Sequence, residues 1–202
     1  MTAGRSRALF LDRDGVINVE RGYVHRRECF EFLPGIFALC SAALQKGYLL
    51  VVVTNQAGIA RGYFSESDFN ELTSWMIDRF AEQNIVITRL YYCPYHPVLG
   101  LGRYKRDSPD RKPNPGMFRR AQSDLDLDLQ SSILIGDKPS DIQAASAAGV
   151  GTQILLSAEE TEGEARHTSC YVCASLDDVR RKFFSATEVS RKHDNVLSFG
   201  KS

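Results

Sequence analysis

Short, unbroken apolar runs recur along the chain at residues 8–11, 48–53, 85–92, 132–135 and 151–156, with helical stretches between them. A strand with one face on the core alternates apolar and polar positions, whereas a strand that is apolar throughout is covered on both faces. The pattern therefore predicts the α/β class, a parallel sheet with helices on both faces. The helices are marked by their ends. Ser65, with Asp68 three residues on, resembles a capping box ahead of 69–80, and Pro139 opens a helix that Gly149 closes. Further helices are expected over 36–46, 115–125 and 176–184. Two stretches, 18–33 and 93–114, fit no periodic element, and loops that long in a compact domain are usually functional, so both are expected to face a substrate. Residues 1–6 and 187–202 are polar and aperiodic and are expected to be loose, leaving one domain in 1–202.

Composition narrows the possibilities. The chain has 202 residues, 43% of them hydrophobic, the balance of a globular protein and not of a disordered one. Lys and Arg number 25 against 25 Asp and Glu. That zero net charge argues against a broad footprint for nucleic acid or an anionic membrane, so any anion site must be focal. No apolar run approaches the ~20 residues of a membrane span, and no signal-peptide core develops, so a cytoplasmic protein is expected. Five scattered cysteines suit a reducing compartment. Cys170 and Cys173 form a Cys-x-x-Cys pair, but no second pair exists and no metal or redox role is expected of it. His167 and His193 read as surface residues, as does His25, although His25 lies in a loop expected to face substrate.

The chemistry gathers at the ends of the apolar runs. The first run ends in Leu11-Asp12-Arg13-Asp14-Gly15, placing two carboxylates where open α/β sheets bind ligands. Alone, the pair reads equally as a site asking for a metal or counter-charge and as two solvated turn residues. The second run ends in Thr54-Asn55-Gln56-Ala57-Gly58, whose hydroxyl, amides and backbone N–H groups suit either an anion or a plain polar turn. Arg111-Lys112 precedes a helix start, a place that favours anions, and is otherwise a solvated basic loop. The fourth run ends in Gly136-Asp137-Lys138-Pro139-Ser140-Asp141, where Asp141 is read as a helix cap and Asp137 as something more.

In this order, the four segments resemble the four motifs of the haloacid dehalogenase-like phosphohydrolases, over roughly residues 7–156. The resemblance implies a Rossmann-like sheet without a large cap domain. It further implies that Asp12 attacks a phosphate monoester, that Asp14 serves as acid and then base, and that Thr54 and Lys112 stabilise the phosphoryl oxygens. Mg²⁺ would be held by Asp12, the main-chain carbonyl of Asp14, and Asp137. Finer wording, from DRDGVIN, RGYV and TNQAGIARG to CPYHP, RKPNPGMF and GDKPSDIQAA, is similar to the D-glycero-D-manno-heptose 1,7-bisphosphate 7-phosphatase family. By that match Glu20, Arg21, Gly22, Tyr23, Asn55, Gln56, Ala57, Arg111 and Lys138 would contact sugar or phosphate, with Arg61 close by. The partner implied is a small sugar phosphate, with no nucleic acid and no membrane. The product would feed lipopolysaccharide, capsule or surface-layer glycan synthesis. The sibling histidinol-phosphatase family shares every catalytic motif. Its cationic amine substrate would want a carboxylate such as Glu20 or Glu28. A non-catalytic phosphate-binding protein on the same fold is the third reading. A monomer is expected, because the machinery needs one chain.

One departure stands out. Many members of that family hold a structural zinc through Cys-x-His and Cys-x-Cys ahead of Arg-Lys-Pro. Here those positions read Cys93, Tyr95, Ser108 and Asp110, and His96 sits one residue too far. Zinc is therefore expected to be absent, since neither His96 nor a carboxylate such as Asp107 rebuilds the tetrahedral set. Packing by Tyr91, Tyr92, Tyr95 and Tyr104 is expected to hold the loop instead.

Overall fold

A computed structural model describes residues 5–157 and 170–185. His167, His193 and most of the end segments expected to be loose lie outside the described residues. Ser6 is tied down, since its N–H donates to Asp126 O (3.2 Å) and its carbonyl accepts from Asp128 N (2.8 Å).

The strands are β1 (Arg7–Leu11), β2 (Tyr48–Asn55), β3 (Ile87–Cys93), β4 (Ile133–Gly136), β5 (Thr152–Leu156) and β6 (Tyr171–Cys173). They pair all-parallel in the order β3-β2-β1-β4-β5-β6. The longer helices are α1 (Ile36–Gln45), α3 (Glu66–Ala81), α4 (Gly116–Leu125) and α5 (Pro139–Ala148), with short turns at α2 (Ala57–Ala60) and α6 (Leu176–Val179). Ser65 caps α3 with a capping box through Asp68, as the sequence predicts, and Gly149 ends α5 in the left-handed region. The short strand β6 passes through the Cys-x-x-Cys pair, which the sequence pattern does not mark as a strand. Cys29, Cys40, Cys93 and Cys173 are in no disulfide.

Successive residues of the central strands β1, β2 and β4 enter opposite cores, which is why those runs are apolar throughout. Leu9, Leu11, Leu50, Val52, Ile133 and Ile135 pack with α1, α3 and α6 through Leu39, Met76, Phe80 and Val179. Ala8, Phe10, Val51, Val53 and Leu134 pack on the other face with Met117, Phe118 and Ile142 of α4 and α5. The expected two-faced sheet is present, and no cap domain is evident among the described residues. Nor is any helix there long and apolar enough to cross a membrane.

The topology fixes where chemistry can sit. From β1 the chain winds outward to β2 and β3, then returns to the far side of β1 for β4, β5 and β6. The reversal opens a crevice beyond the carboxyl ends of β1 and β4, the usual ligand position in such sheets.

Candidate active site

Asp12 follows β1 and Asp137 follows β4, so the register Leu11↔Ile135 brings both carboxylates to the crevice. Gly15 makes the approach possible: its φ is +93°, and a Cβ there would lie 2.2 Å from Asp137 Oδ2. Lys112 enters from the loop before α4 and is buried. Its Nζ lies 2.9 Å from Asp12 Oδ1 and 2.6 Å from Asp141 Oδ1, and it donates to Val53 O at 2.9 Å. Asn55 fixes that loop to the end of β2, donating to Lys112 O and accepting from Lys112 N, both at 3.0 Å.

Asp141 caps the helix start as the sequence predicts, and does more. Its Oδ2 does accept from Lys138 N (3.0 Å), as a cap would, but its side chain is 1% exposed and its other oxygen belongs to Lys112. The available signal was that Asp137 and Asp141 flank one helix start that directly follows a buried apolar run. Carboxylate oxygens of Asp12, Asp137 and Asp141 all lie within 4.8 Å of one another.

Three carboxylates around one lysine leave an excess of negative charge in a dry place. Burial, reinforced by Asp141, Asp137 and Asp14, pushes Asp12 up to about 7 against the opposing pull of Lys112. Burial likewise raises Asp137 to about 6, opposed mainly by Lys138. For Lys112, burial works against the charge, but the carboxylates prevail and its pKa is raised, so it stays a cation. Asp137 Oδ1 is buried with no hydrogen-bond partner among the described residues. Raised carboxylates, an orphaned oxygen and an all-oxygen donor set fit a hard divalent cation. Both Asp141 oxygens are already engaged, so Asp12 and Asp137 are the better ligands and Asp141 the better partner for Lys112.

A cavity of about 360 Å³ opens above this cluster, lined among others by Asp14, Glu20, Gly22, Tyr23, Gln56, Ala57 and Lys138. Asp14 is gripped by four contacts: Arg13 Nη2 reaches both oxygens (2.8 and 2.7 Å), with Asn18 Nδ2 (3.1 Å) and Gln56 Nε2 (3.0 Å) beside it. Gln56 Nε2 also donates to Thr54 Oγ1 at 2.9 Å, so Thr54 is buried beneath the cavity. Lys138 Nζ bridges Glu20 Oε2 (2.9 Å) and Asp137 Oδ2 (3.5 Å).

Other expected site residues stand further out. Arg21 pairs with Glu31 on the outside of its loop. Arg61 lies over the Tyr23 ring, 5.4 Å from its centroid. Arg111 donates to Tyr95 O at 3.1 Å. His25 stacks on Phe64 and, with Glu28, lines a separate hollow of about 400 Å³ that holds no carboxylate–lysine cluster. His25, read from the sequence as a surface residue, thus stands away from the crevice cluster.

The loop expected to lack zinc is held by polar contacts as well as rings. His96 Nδ1 accepts from Val98 N (3.2 Å) and Leu99 N (2.9 Å). Glu66 accepts from Tyr92 (2.7 Å) and Tyr104 (2.6 Å), and Arg106 lies 3.8 Å over the Tyr95 ring. Tyr91 instead turns away to Asp124 at 2.8 Å.

Fold and site together define a hydrolase of the haloacid dehalogenase-like class, and the HAD-hydrolase-like family model matches residues 110–179. The D-glycero-alpha-D-manno-heptose-1,7-bisphosphate 7-phosphatase of Burkholderia mallei is 60% identical over 152 residues, 75% of this chain and 80% of that protein. The beta-anomer counterpart of Vibrio cholerae is 52% identical over 74% of this chain and 80% of that protein. The D,D-heptose 1,7-bisphosphate phosphatase of B. bronchiseptica, solved with magnesium and phosphate, superposes with a TM-score of 0.73 at 29% identity, covering 87% of this chain and 96% of that one. The chain belongs to the D-glycero-D-manno-heptose-1,7-bisphosphate 7-phosphatase family.

Proposed function

We propose that the protein is a Mg²⁺-dependent phosphatase that removes the 7-phosphate of D-glycero-D-manno-heptose 1,7-bisphosphate through a phosphoryl group carried on Asp12. The remaining 1-phosphate then serves nucleotide activation for surface glycans, and the enzyme works as a cytoplasmic monomer. One observation carries the reading: a buried lysine shared by Asp12 and Asp141, beside a partnerless Asp137 oxygen, at the switch point of the sheet.

A phosphate monoester repels a nucleophile, so the site must neutralise charge and hold an oxygen in line with the leaving group. Lys112 favours the ionised form of Asp12, whose oxygen attacks phosphorus as the bond to the sugar oxygen breaks. Asp14 gives the leaving alkoxide its proton, then takes one from the water that releases inorganic phosphate from Asp12. Lys112 and Thr54 donate to the phosphoryl oxygens. Mg²⁺ would be held by Asp12, Asp137 and the main-chain carbonyl of Asp14, and when bound supplies charge neutralisation at the phosphoryl group.

Glu20, Gly22, Tyr23, Gln56, Ala57 and Lys138 surround the sugar, with Asn55 holding the Lys112 backbone beside them. Arg111, with Arg61 and Arg21 at the rim, offers cations for the second phosphate. Histidinol phosphate is the weaker reading, because Glu20 is neutralised by Lys138 and Glu28 lies at the other hollow. The zinc positions are filled by residues that bond one another, and the loop works without zinc.

The test is kcat/KM on the two heptose bisphosphate anomers and on histidinol phosphate with Mg²⁺. A hundredfold heptose preference, about 2.7 kcal/mol of differential transition-state binding, is expected. A preference for histidinol phosphate would overturn the substrate and keep the chemistry.

A further inference from the structure

Arg13, the residue between the two catalytic aspartates, is wholly buried, an unusual fate for a side chain with five N–H donors. Among the described residues, all of its side-chain hydrogen bonds run through one nitrogen. Nη2 meets both oxygens of Asp14 and donates to Val24 O at 2.7 Å, while Nε and Nη1 have no partner among the described residues. Its guanidinium carbon lies 5.7 Å from the centre of the Phe69 ring, which closes that side of its chamber.

Val24 belongs to the same loop as Gly22 and Tyr23, both at the cavity wall and both in the left-handed region, at φ +72° and +53°. One nitrogen therefore ties the acid/base carboxylate to the loop that meets the sugar. We propose that Arg13 is a positioning residue that passes the seating of the sugar on this loop to Asp14, so that the proton donor is aligned when the correct substrate fills the cavity. The inference rests on Asp14 as the acid/base. A buried fork with unused donors can shift between partners without meeting water, so a movement of Val24 O carries the guanidinium, and Asp14 with it. A misplacement of about 1 Å at a reacting group can cost about a hundredfold in rate.

The test compares heptose 1,7-bisphosphate with glycerol 3-phosphate, which has the same kind of primary alkoxide leaving group and no sugar ring for the loop. In Arg13→Met, kcat on the bisphosphate is expected to fall about 100-fold with KM within about threefold, while kcat on glycerol 3-phosphate falls less than about tenfold. The ratio between the substrates thus collapses. Because Nη2 alone makes the contacts, Arg13→Lys should restore most of that ratio, and it also serves as the working variant if the methionine form does not fold. Equal losses on both substrates, or a raised KM with kcat retained, would overturn the proposal. Asp14→Asn is run beside them: turnover surviving in that variant would remove the acid/base assignment itself, whatever the arginine variants do.

Discussion

Two polar networks in this molecule are built on opposite terms. At the crevice, Asp12, Lys112 and Asp141 are ionisable, dry and mutually dependent, with side chains 7%, 1% and 1% exposed. Beside it, Glu66, Tyr92, Tyr104 and Arg103 tie down the 93–114 loop on the surface, with the arginine 79% exposed. Water screens the second network and can replace any lost member, whereas a charge orphaned in the first has nowhere to turn. The proposed chemistry belongs to the network that tolerates least.

The sharpest way to break the comparison is Asp12→Asn, which should lower kcat by about 10⁴-fold or more with the fold retained by circular dichroism. Turnover within tenfold of wild type would reassign the nucleophile. Lys112→Met leaves two buried carboxylates without their cation and should cost about 3–5 kcal/mol in a denaturant titration, besides most of the activity. Asp141→Asn preserves an oxygen for the Lys138 N–H and removes the charge beside Lys112. It should lower kcat about 10–100-fold with the Mg²⁺ activation constant little changed. A strong rise in that constant would make Asp141 a metal ligand, and no effect at all would return it to a simple cap.

Proton linkage gives a subtler test. Asp12 and Asp137 have folded-state pKa values of about 7 and about 6, above the 3.8 of the free side chain. Between the two limits the folded chain holds protons that the unfolded chain has released. Their contribution to stability is therefore present at low pH and lost as pH rises through 6 and 7. Bound Mg²⁺ replaces those protons, so the rise in Tm on adding it should be larger at pH 8 than at pH 5.5. A shift independent of pH would separate these carboxylates from the cation. The smallest effects belong to the surface network. Glu66→Gln should stay within about 1 kcal/mol of wild type, and a zinc chelator with Mg²⁺ maintained should change neither rate nor Tm. A fall of several degrees would show that the loop holds zinc after all.

Much of this architecture was legible in the chain because burial on both faces leaves unmistakable apolar runs, and because Asp12, Lys112 and Asp137 follow such runs or precede helices. What escaped had no periodic signature. The strand Tyr171–Cys173 is too short for one, and Ala57–Ala60 is a single helical turn hidden in a motif. Asp141 was masked by a real capping bond, since the same carboxylate serves the helix and the lysine at once. Asn55, expected as a substrate contact, lines the cavity and also spends its amide on the Lys112 backbone, a pairing across 57 positions that no local pattern could announce.

The pairing of Leu11 with Ile135 has a meaning beyond geometry. Asp12 and Asp137 hang from adjacent parallel strands, so their spacing is inherited from the sheet. A slip of one residue between these strands would move one carboxylate by about 3.3 Å and turn it to the other face. A chain folded out of step would thus be inert, and activity doubles as a proofreading signal for correct assembly.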